Sequence, residues 1–443
     1  MNERKKLLLI SYYFPPIGMG GVQRASKLAK YLSRTGWDVT VLTVKDIIYY
    51  KKDNSLLDDL QDINIIRTGS LDPSRILYKL SAGRSKTNTG NVSSNKGRLS
   101  SLFRFVERYL FIPDSKKFWT PFVLSRVKKL NRINKFDIIL STAPPFSTHI
   151  AAYYISKSLK IPWAADFRDG WTNNDFLKKR KFIYLYINRI LEKMVIKKSD
   201  GVFGISEKII DHLKQLDIKN RNKFSIIYNG FDEEDFEKTE DSEDKFTVSF
   251  MGAVTQWSDP SVFIPVLKSA LQKDPDLKHN MKIKIIGEIL YPVTIKAFEK
   301  EGLSDNLVIK GYLPHKSAVK DILRSSILLF PITKYDTTGI VPGKMYEYLA
   351  SGLPMLVHLP KGEAEKIINK YAKKSVYYSK TNSEECADFI IAEFKKWGEK
   401  GRSNEKDIRI YDPELDKFSR KKQAERISGI LESILKNREK HVN

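Results

Sequence analysis

The chain has one cysteine, Cys386, in 443 residues. A single thiol closes no internal disulfide and builds no cysteine metal cluster. Histidine is scarce too, with six, and none stands in the HExxH or HxH spacing of a zinc site. No run of about 18 apolar residues occurs, which excludes a spanning helix. The opening MNERKKLLLISYYFPP sets basic residues before a short apolar run. That run continues into a strand and a turn with no small-residue cleavage site, so it is not read as a signal peptide. The expected location is cytoplasmic. Acidic residues are also few, 53 against 77 Lys and Arg, for a net charge of +24. The shortfall is local: the first 200 residues hold 37 of the bases and 16 of the acids, which leaves 40 and 37 for the other 243. A one-sided basic field attracts phosphates, whether in nucleic acid, anionic lipid headgroups or diphosphate-linked substrates. No RNP, helix-turn-helix or zinc-finger pattern accompanies it, which argues against nucleic acid.

What is present is a repeated α/β alternation. Hydrophobic residues make up 41%, enough for sizeable cores, and the length predicts two or three domains. KLLLIS (6–11) reads as a strand and YYFPPIGMGG as a turn. Val22, Ala25, Leu28, Ala29 and Leu32 then keep helical spacing as far as Arg34. WDVTVLTV is the next strand, so the unit is βαβ and the sheet parallel. Strands follow at 136–142, 161–167, 201–206 and 224–230, with helices at HIAAYYISKSL and about 176–197. The mostly acidic stretch Asp232 to Asp244 reads as a linker. Alternation then restarts, with strands at 246–252, 281–287, 306–313, 326–332 and PMLVHLP, and a charged helix at about 414–437. Residues 81–100, rich in Ser, Asn, Gly and Lys, predict a flexible basic loop. The expected domains are 1–235 and 245–405, with a tail at 406–443. Ligands of open parallel sheets bind beyond the carboxyl ends of the strands, so two such edges facing each other would build one cleft.

Several residues at or near strand ends suit chemistry. Gly18, Gly20 and Gly21 lie between the first strand and helix, either as a phosphate-adjacent loop or as a tight turn. Their spacing is not GxGxxG, so a dinucleotide is not indicated. Asp166, Arg168 and Asp169 in ADFRDGW form either a ligand-facing charge cluster or a structural ion pair closing the turn. His149 begins a helix after APPFST, where the dipole favours the neutral ring. It either donates to a phosphate or hydroxyl or is a surface histidine. Asp274 and Asp276 precede a strand, at the wrong edge of a sheet, and read as solvated turn residues. The segment TTGIVPGKMYEYLASGLP (337–354) carries a Gly/Pro loop into a helix. Amides of Ile340, Val341 and Gly343 are placed to cradle a diphosphate, and Lys344 adds a positive charge. Glu347, on the same helix face, suits a ribose diol. The alternative is an exposed Lys–Glu pair of little worth. Residues 178–198 (KKRKFIYLYINRILEKMVIKK) are basic and amphipathic. Such a helix either lies on an anionic membrane surface or packs on its own sheet with a charged outer face.

The succession FPPIGMGGVQRASKLAKYLSRTGWDVTVLT, KKSDGVFGISEKI, IIYNGFDEEDF and VPGKMYEYLASGLPMLV resembles the bacterial glycosyltransferases of family 4. The resemblance implies the GT-B fold: α/β, two Rossmann-like domains facing across an interdomain cleft, and a last helix that crosses back to the first domain. It implies retaining transfer from a nucleotide sugar held by the second domain to a glycan or lipid-diphosphate-linked acceptor held by the first. No cofactor and no metal is expected. It also implies a role in cell-surface polysaccharide assembly, such as lipopolysaccharide or capsule, and a peripheral place on the inner face of the cytoplasmic membrane. Glu347 matches the second carboxylate of the family's E-x7-E motif, the one that binds the ribose, while the first falls on Gly339. Where the family has an Arg and a Lys after the first strand of the second domain, this chain has Gly252-Ala253-Val254-Thr255-Gln256-Trp257. Lys344 and the loop amides are the expected substitutes. Where many members carry a histidine, this chain has Asp166-Phe167-Arg168-Asp169, as in a recognisable branch with FRD. The catalytic group is therefore expected among Asp166, Arg168, Asp169 and His149. Gly20 and Gly21 fall on the phosphate or acceptor side, and Gly252, Ile340, Val341, Gly343, Lys344 and Glu347 on the donor side. A GT-B sugar-nucleotide epimerase and a catalytically silent sugar-nucleotide-binding relative are the alternatives.

Overall fold

The computed structural model describes residues 4–18, 20–45, 47, 52–73, 75–76, 111–174, 182–236, 243–333, 341–399 and 412–442. The expected basic loop at 81–100 lies outside them. The chain divides into two units, Met1–Tyr228 with Arg420–Asn443, and Asn229–Ser419.

The first unit is built on a seven-stranded sheet. Its strands are β1 (Lys6–Ser11), β2 (Asp38–Val44), β3 (Asn64–Thr68), β4 (Ile138–Ala143), β5 (Trp163–Phe167), β6 (Gly201–Gly204) and β7 (Phe224–Ile226). They lie in the order β3-β2-β1-β4-β5-β6-β7, and every pair is parallel. Helices α1 (Gly20–Arg34), α2 (Thr120–Ile133), α3 (Ser147–Leu159), α4 (Phe182–Lys198) and α5 (Glu207–Leu216) cover its faces. The central strands are buried on both faces, which is why they read as continuous apolar runs. One face packs Leu8, Ile10, Trp163 and Phe167 against α3, α4 and α5. The other packs Leu7, Leu9 and Leu140 against Ala25, Leu28 and Leu32 of α1.

The helix Arg420–Val442 belongs to this first unit and completes its second face, as the resemblance implies. Ala424, Ile427 and Leu431 enter the α1 core, and Trp37 donates its indole N–H to Ser428 Oγ at 2.8 Å. Gly201 permits this approach, since a Cβ there would stand 2.9 Å from Ile434 Cδ1.

The second unit has a six-stranded parallel sheet. Its strands are β8 (Phe246–Met251), β9 (Met281–Ile286), β10 (Leu307–Gly311), β11 (Ile327–Pro331), β12 (Met355–His358) and β13 (Ser375–Tyr377), in the order β10-β9-β8-β11-β12-β13. Its helices include α6 (Ile264–Lys273), α7 (His315–Leu323), α8 (Lys344–Ser351) and α9 (Ser383–Glu399). Cys386 is buried in this core.

The structure departs from the sequence reading in particular places. Edge strands β3 and β13 carry too short a signal to stand out, the latter with only three residues. Helix α1 begins at Gly20, so Gly20 and Gly21 form its first turn rather than the loop before it. Asp274 is an N-cap: its carboxylate accepts from the Asp276 amide at 3.1 Å at the start of a short helix, Pro275–Asn280. The acidic stretch is not wholly solvated linker. Asp232 caps the 3-10 turn Glu233–Asp235, and Glu243 is ion-paired with Lys282 and Lys284.

The packing of Leu431 makes a direct prediction. Leu431→Ala is expected to cost the first unit about 2–4 kcal/mol, measured by urea unfolding followed through the Trp37 environment. A change below about 0.5 kcal/mol would place the last helix outside the cooperative core.

Candidate functional site

In a parallel sheet the strands end along one edge, where the following helices present unpaired N–H groups. Each unit has such an edge.

In the first unit the edge is closed by a buried ion pair that the sequence did not advertise. Asp166, the fourth residue of β5, is wholly buried, and its partner is Arg24 of α1. Arg24 Nε lies 2.9 Å from Oδ2 and Nη2 lies 2.6 Å from Oδ1, a two-pronged contact. Thr142 of β4 donates to Oδ2 at 2.7 Å, and Arg24 Nη1 donates to the Tyr228 carbonyl at 2.7 Å. Burial alone would raise the Asp166 carboxyl; the Arg24 guanidinium and the Thr142 hydroxyl outweigh it and hold the pKa below the ordinary range. Arg168 is spent differently. Its Nη1 donates to the Gly21 carbonyl and its Nη2 to the Pro144 carbonyl, which pins the ADFRDGW turn to the start of α1. Gly21 leaves room for that guanidinium, since a Cβ there would lie 3.0 Å from Nη1.

Asp169 is the exposed member of the trio. His149 is fully buried rather than on the surface. Its Nδ1 lies 2.8 Å from Ser141 Oγ, its ring lies 4.5 Å from that of Phe167, and Trp163 donates to the same Ser141 Oγ at 2.7 Å. Burial lowers His149 to about 3, so the ring is neutral at ordinary pH. The structure thus brings Asp166 and Arg168 to the strand edge as structural ties, leaves Asp169 facing solvent, and sets His149 in the core.

In the second unit the edge is organised around α8. Tyr348 accepts from the Met251 amide at 2.8 Å, which ties α8 to the end of β8. Gly352 ends α8 in the left-handed region with φ 64° and stops the helix. The first residue of α8, Lys344, reaches back across the strand ends. Its Nζ lies 3.8 Å from the centroid of the Phe250 ring and 3.0 Å from Ser258 Oγ. Gly252, with φ 125°, lies beneath it, and a Cβ there would stand 3.5 Å from Nζ. Burial lowers Lys344 to about 7, against the opposing pull of Glu347. The cation therefore stands over Gly252, just past the end of β8. Val341 is buried and Gly343 exposed at the head of α8, while Ile340 and Gly339 lie outside the described residues.

Glu347 is 9% exposed and is not part of a simple exposed pair with Lys344. His315, at the start of α7, places its Nε2 3.3 Å from Glu347 Oε1 and 3.3 Å from Asp235 Oδ2. Sequence reasoning missed both His315 and Arg24. The only hint of His315 was its place just after a strand; Arg24 sits among small and apolar residues of α1 with no motif of its own.

Residues 231–405 match the family of glycosyl transferases group 1, and residues 89–235 match glycosyltransferase family 4. The chain belongs to the family-4-type glycosyltransferases, and its two parallel α/β sheets are those of the GT-B fold. Three solved structures illustrate the likeness. HepE (Alr3699) of Anabaena, in complex with UDP and glucose, is 12% identical with a TM-score of 0.61, over 97% of this chain and 100% of that one. A glycosyltransferase from Rickettsia africae is 17% identical with a TM-score of 0.58, over 98% and 99%. The lipopolysaccharide outer core galactosyltransferase WaaB is 11% identical with a TM-score of 0.55, over 97% and 99%. At such identities the likeness is one of fold. No curated protein matches the sequence.

Removing Asp166 would leave Arg24 buried without its carboxylate. Asp166→Ala is expected to destabilise the first unit by about 3–5 kcal/mol, while Asp169→Asn stays within about 0.5 kcal/mol of wild type. Thermal unfolding of the two variants side by side checks this. Equal melting temperatures for Asp166→Ala and wild type would show that the pair carries no structural load.

Proposed function

We propose that this glycosyltransferase moves a hexose from a nucleoside-diphosphate donor to a glycan or lipid-diphosphate-linked acceptor, with retention of configuration and without a metal, in the building of a cell-surface polysaccharide. The observation that carries the reading is Lys344, a cation on the Phe250 ring at the end of β8 and at the head of α8. Charge that develops on a departing diphosphate is stabilised best by donors already fixed in place and shielded from water. Lys344 and the amides of Val341 and Gly343 supply such donors, which is the task a divalent cation performs in other sites. Glu347 accepts the ribose hydroxyls. Asp169, exposed at the end of β5, orients the acceptor hydroxyl, while Asp166 and Arg168 keep that edge in shape. The complexes of HepE with UDP and with UDP-glucose support a nucleotide-sugar donor.

The charge state of Lys344 gives the test. A bound diphosphate favours the ammonium, so the pKa near 7 of the empty site rises on binding and a proton is taken up. Affinity for UDP, GDP or ADP, measured by calorimetry, is expected to fall by up to about tenfold per pH unit from pH 7 to 9. Above about pH 8 the terminal phosphate is already almost fully ionised, so the fall there reports the lysine. Lys344→Met is expected to weaken binding about 10–100-fold and to abolish the pH dependence. Binding that ignores both the substitution and the pH would remove Lys344 from the donor site.

The acceptor side points to a membrane surface. On α4, Phe182 is 82% exposed, Ile183 66%, Tyr186 56% and Ile190 51%. Farther along the same exposed stripe come Arg189, Lys193 and Lys197, and the helix's one acid, Glu192, is buried against Thr172 and His212. An apolar stripe that passes into a basic one suits insertion beside anionic headgroups. A protein working on lipid-linked acceptors at the inner face of the cytoplasmic membrane would use it there. No described helix is long and apolar enough to cross a membrane. Sedimentation with phosphatidylglycerol vesicles is expected, sedimentation with phosphatidylcholine vesicles is not, and Phe182→Ser with Ile190→Ser should reduce the bound fraction at least about tenfold. Equal binding to both lipids, or none to either, would end the membrane reading.

A further inference from the structure

Glu347 is held by a residue that does not belong to the recognised motif. His315 is the first residue of α7, directly after Pro314, and Asp235 closes the 3-10 turn Glu233–Asp235. The three come from separate stretches of the second unit and meet at one atom. Nε2 of His315 lies 3.3 Å from Asp235 Oδ2 and 3.3 Å from Glu347 Oε1. A ring nitrogen that faces two carboxylate oxygens must carry its hydrogen, because a lone pair there would repel both. That N–H faces both acids at the same distance. Asp235 is almost wholly buried, at 3% exposure, so it anchors the imidazole from behind.

A glutamate carboxylate turns about a broad, soft terminal torsion. Recognition of a ribose needs it held at one angle, so that both hydroxyls of the diol find an acceptor at once. The Asp235–His315 pair supplies that angle. We propose that His315 is the positioning residue for Glu347, and that selection of a ribose over a deoxygenated sugar in the donor depends on it although it makes no contact with the nucleotide. This inference rests on the reading of Glu347 as the ribose acceptor, and the test separates the two.

The probes are the tightest binder among UDP, GDP and ADP, and its 2′,3′-dideoxy counterpart. Calorimetry gives the affinity ratio of the two for wild type, Glu347→Gln, His315→Phe and His315→Gln. Wild type is expected to favour the ribonucleotide by about tenfold or more, the worth of hydrogen bonds to a charged acceptor. Glu347→Gln and His315→Phe should each bring the ratio to about 1–3, and His315→Phe should leave affinity for the dideoxy probe unchanged, which also shows that the site is folded. His315→Gln keeps a neutral N–H at about the same reach and should restore most of the preference. If Glu347→Gln leaves the ratio intact, or no nucleotide binds, the ribose reading falls and the inference with it. If Glu347→Gln collapses the ratio but His315→Phe does not, the positioning role alone is wrong. A His315→Phe protein that loses both probes equally would mark His315 as merely structural.

Discussion

The shared direction of the strands governs everything else in this molecule. Because each sheet is parallel throughout, each unit delivers its strand ends, its connecting turns and its helix N-termini to a single edge. The two units use that edge in opposite ways. In the first, the most deeply buried charges neutralise each other: Arg24, Asp166 and Thr142 join α1, β4 and β5, and Arg24 also holds the chain just past β7 through the Tyr228 carbonyl. In the second, a cation is left at the edge on an aromatic ring, bonded to a hydroxyl.

The contrast is one of desolvation. A guanidinium and a carboxylate buried together repay each other only when the geometry is good and the remaining donors are satisfied. The Arg24–Asp166 contact meets both conditions, and the carboxyl is held below its usual range as a result. Lys344 has only the pull of Glu347 against its desolvation among the described groups, and burial still moves it to about 7. An ammonium that is costly to keep charged in the empty site gains most from an arriving anion. The same burial that weakens it as a charge would therefore sharpen it as a receptor for the proposed diphosphate.

How much of this was legible follows from where each signal lies. Central strands such as LLLI of β1 and ILLF in β11 are buried on both faces, so their apolar runs are plain. Edge strands β3 and β13 are short and half-covered, and nothing in their sequence separates them from loops. The helix that begins at Lys344 could be read because a Gly/Pro loop, a cation and a carboxylate fall within a few residues. Arg24 and Asp166 lie 142 positions apart, and only the β1-β4-β5 order brings them together. His315 was hidden for the same reason: its two carboxylates come from a 3-10 turn far upstream and a helix downstream. His149 shows a position that the sequence could not give. A histidine at a helix start looked reactive, yet the packing of α3 on β5 turns it toward Phe167 and Trp163.

Net charge, too, has to be read at the right scale. The excess of +24 lies almost entirely in the first 200 residues, but the proposed donor site sits in the other part of the chain, where bases and acids nearly balance. Exposed charges are screened within about 8–10 Å at physiological salt. A lysine held against a phenyl ring is screened less than one in open solvent, so its local effect does not follow from the sum over the surface. A surface excess of this kind acts where water and salt are present, as a long-range attraction for anions. The composition thus bears on the proposed acceptor side, and the setting of a single ammonium on the proposed donor side.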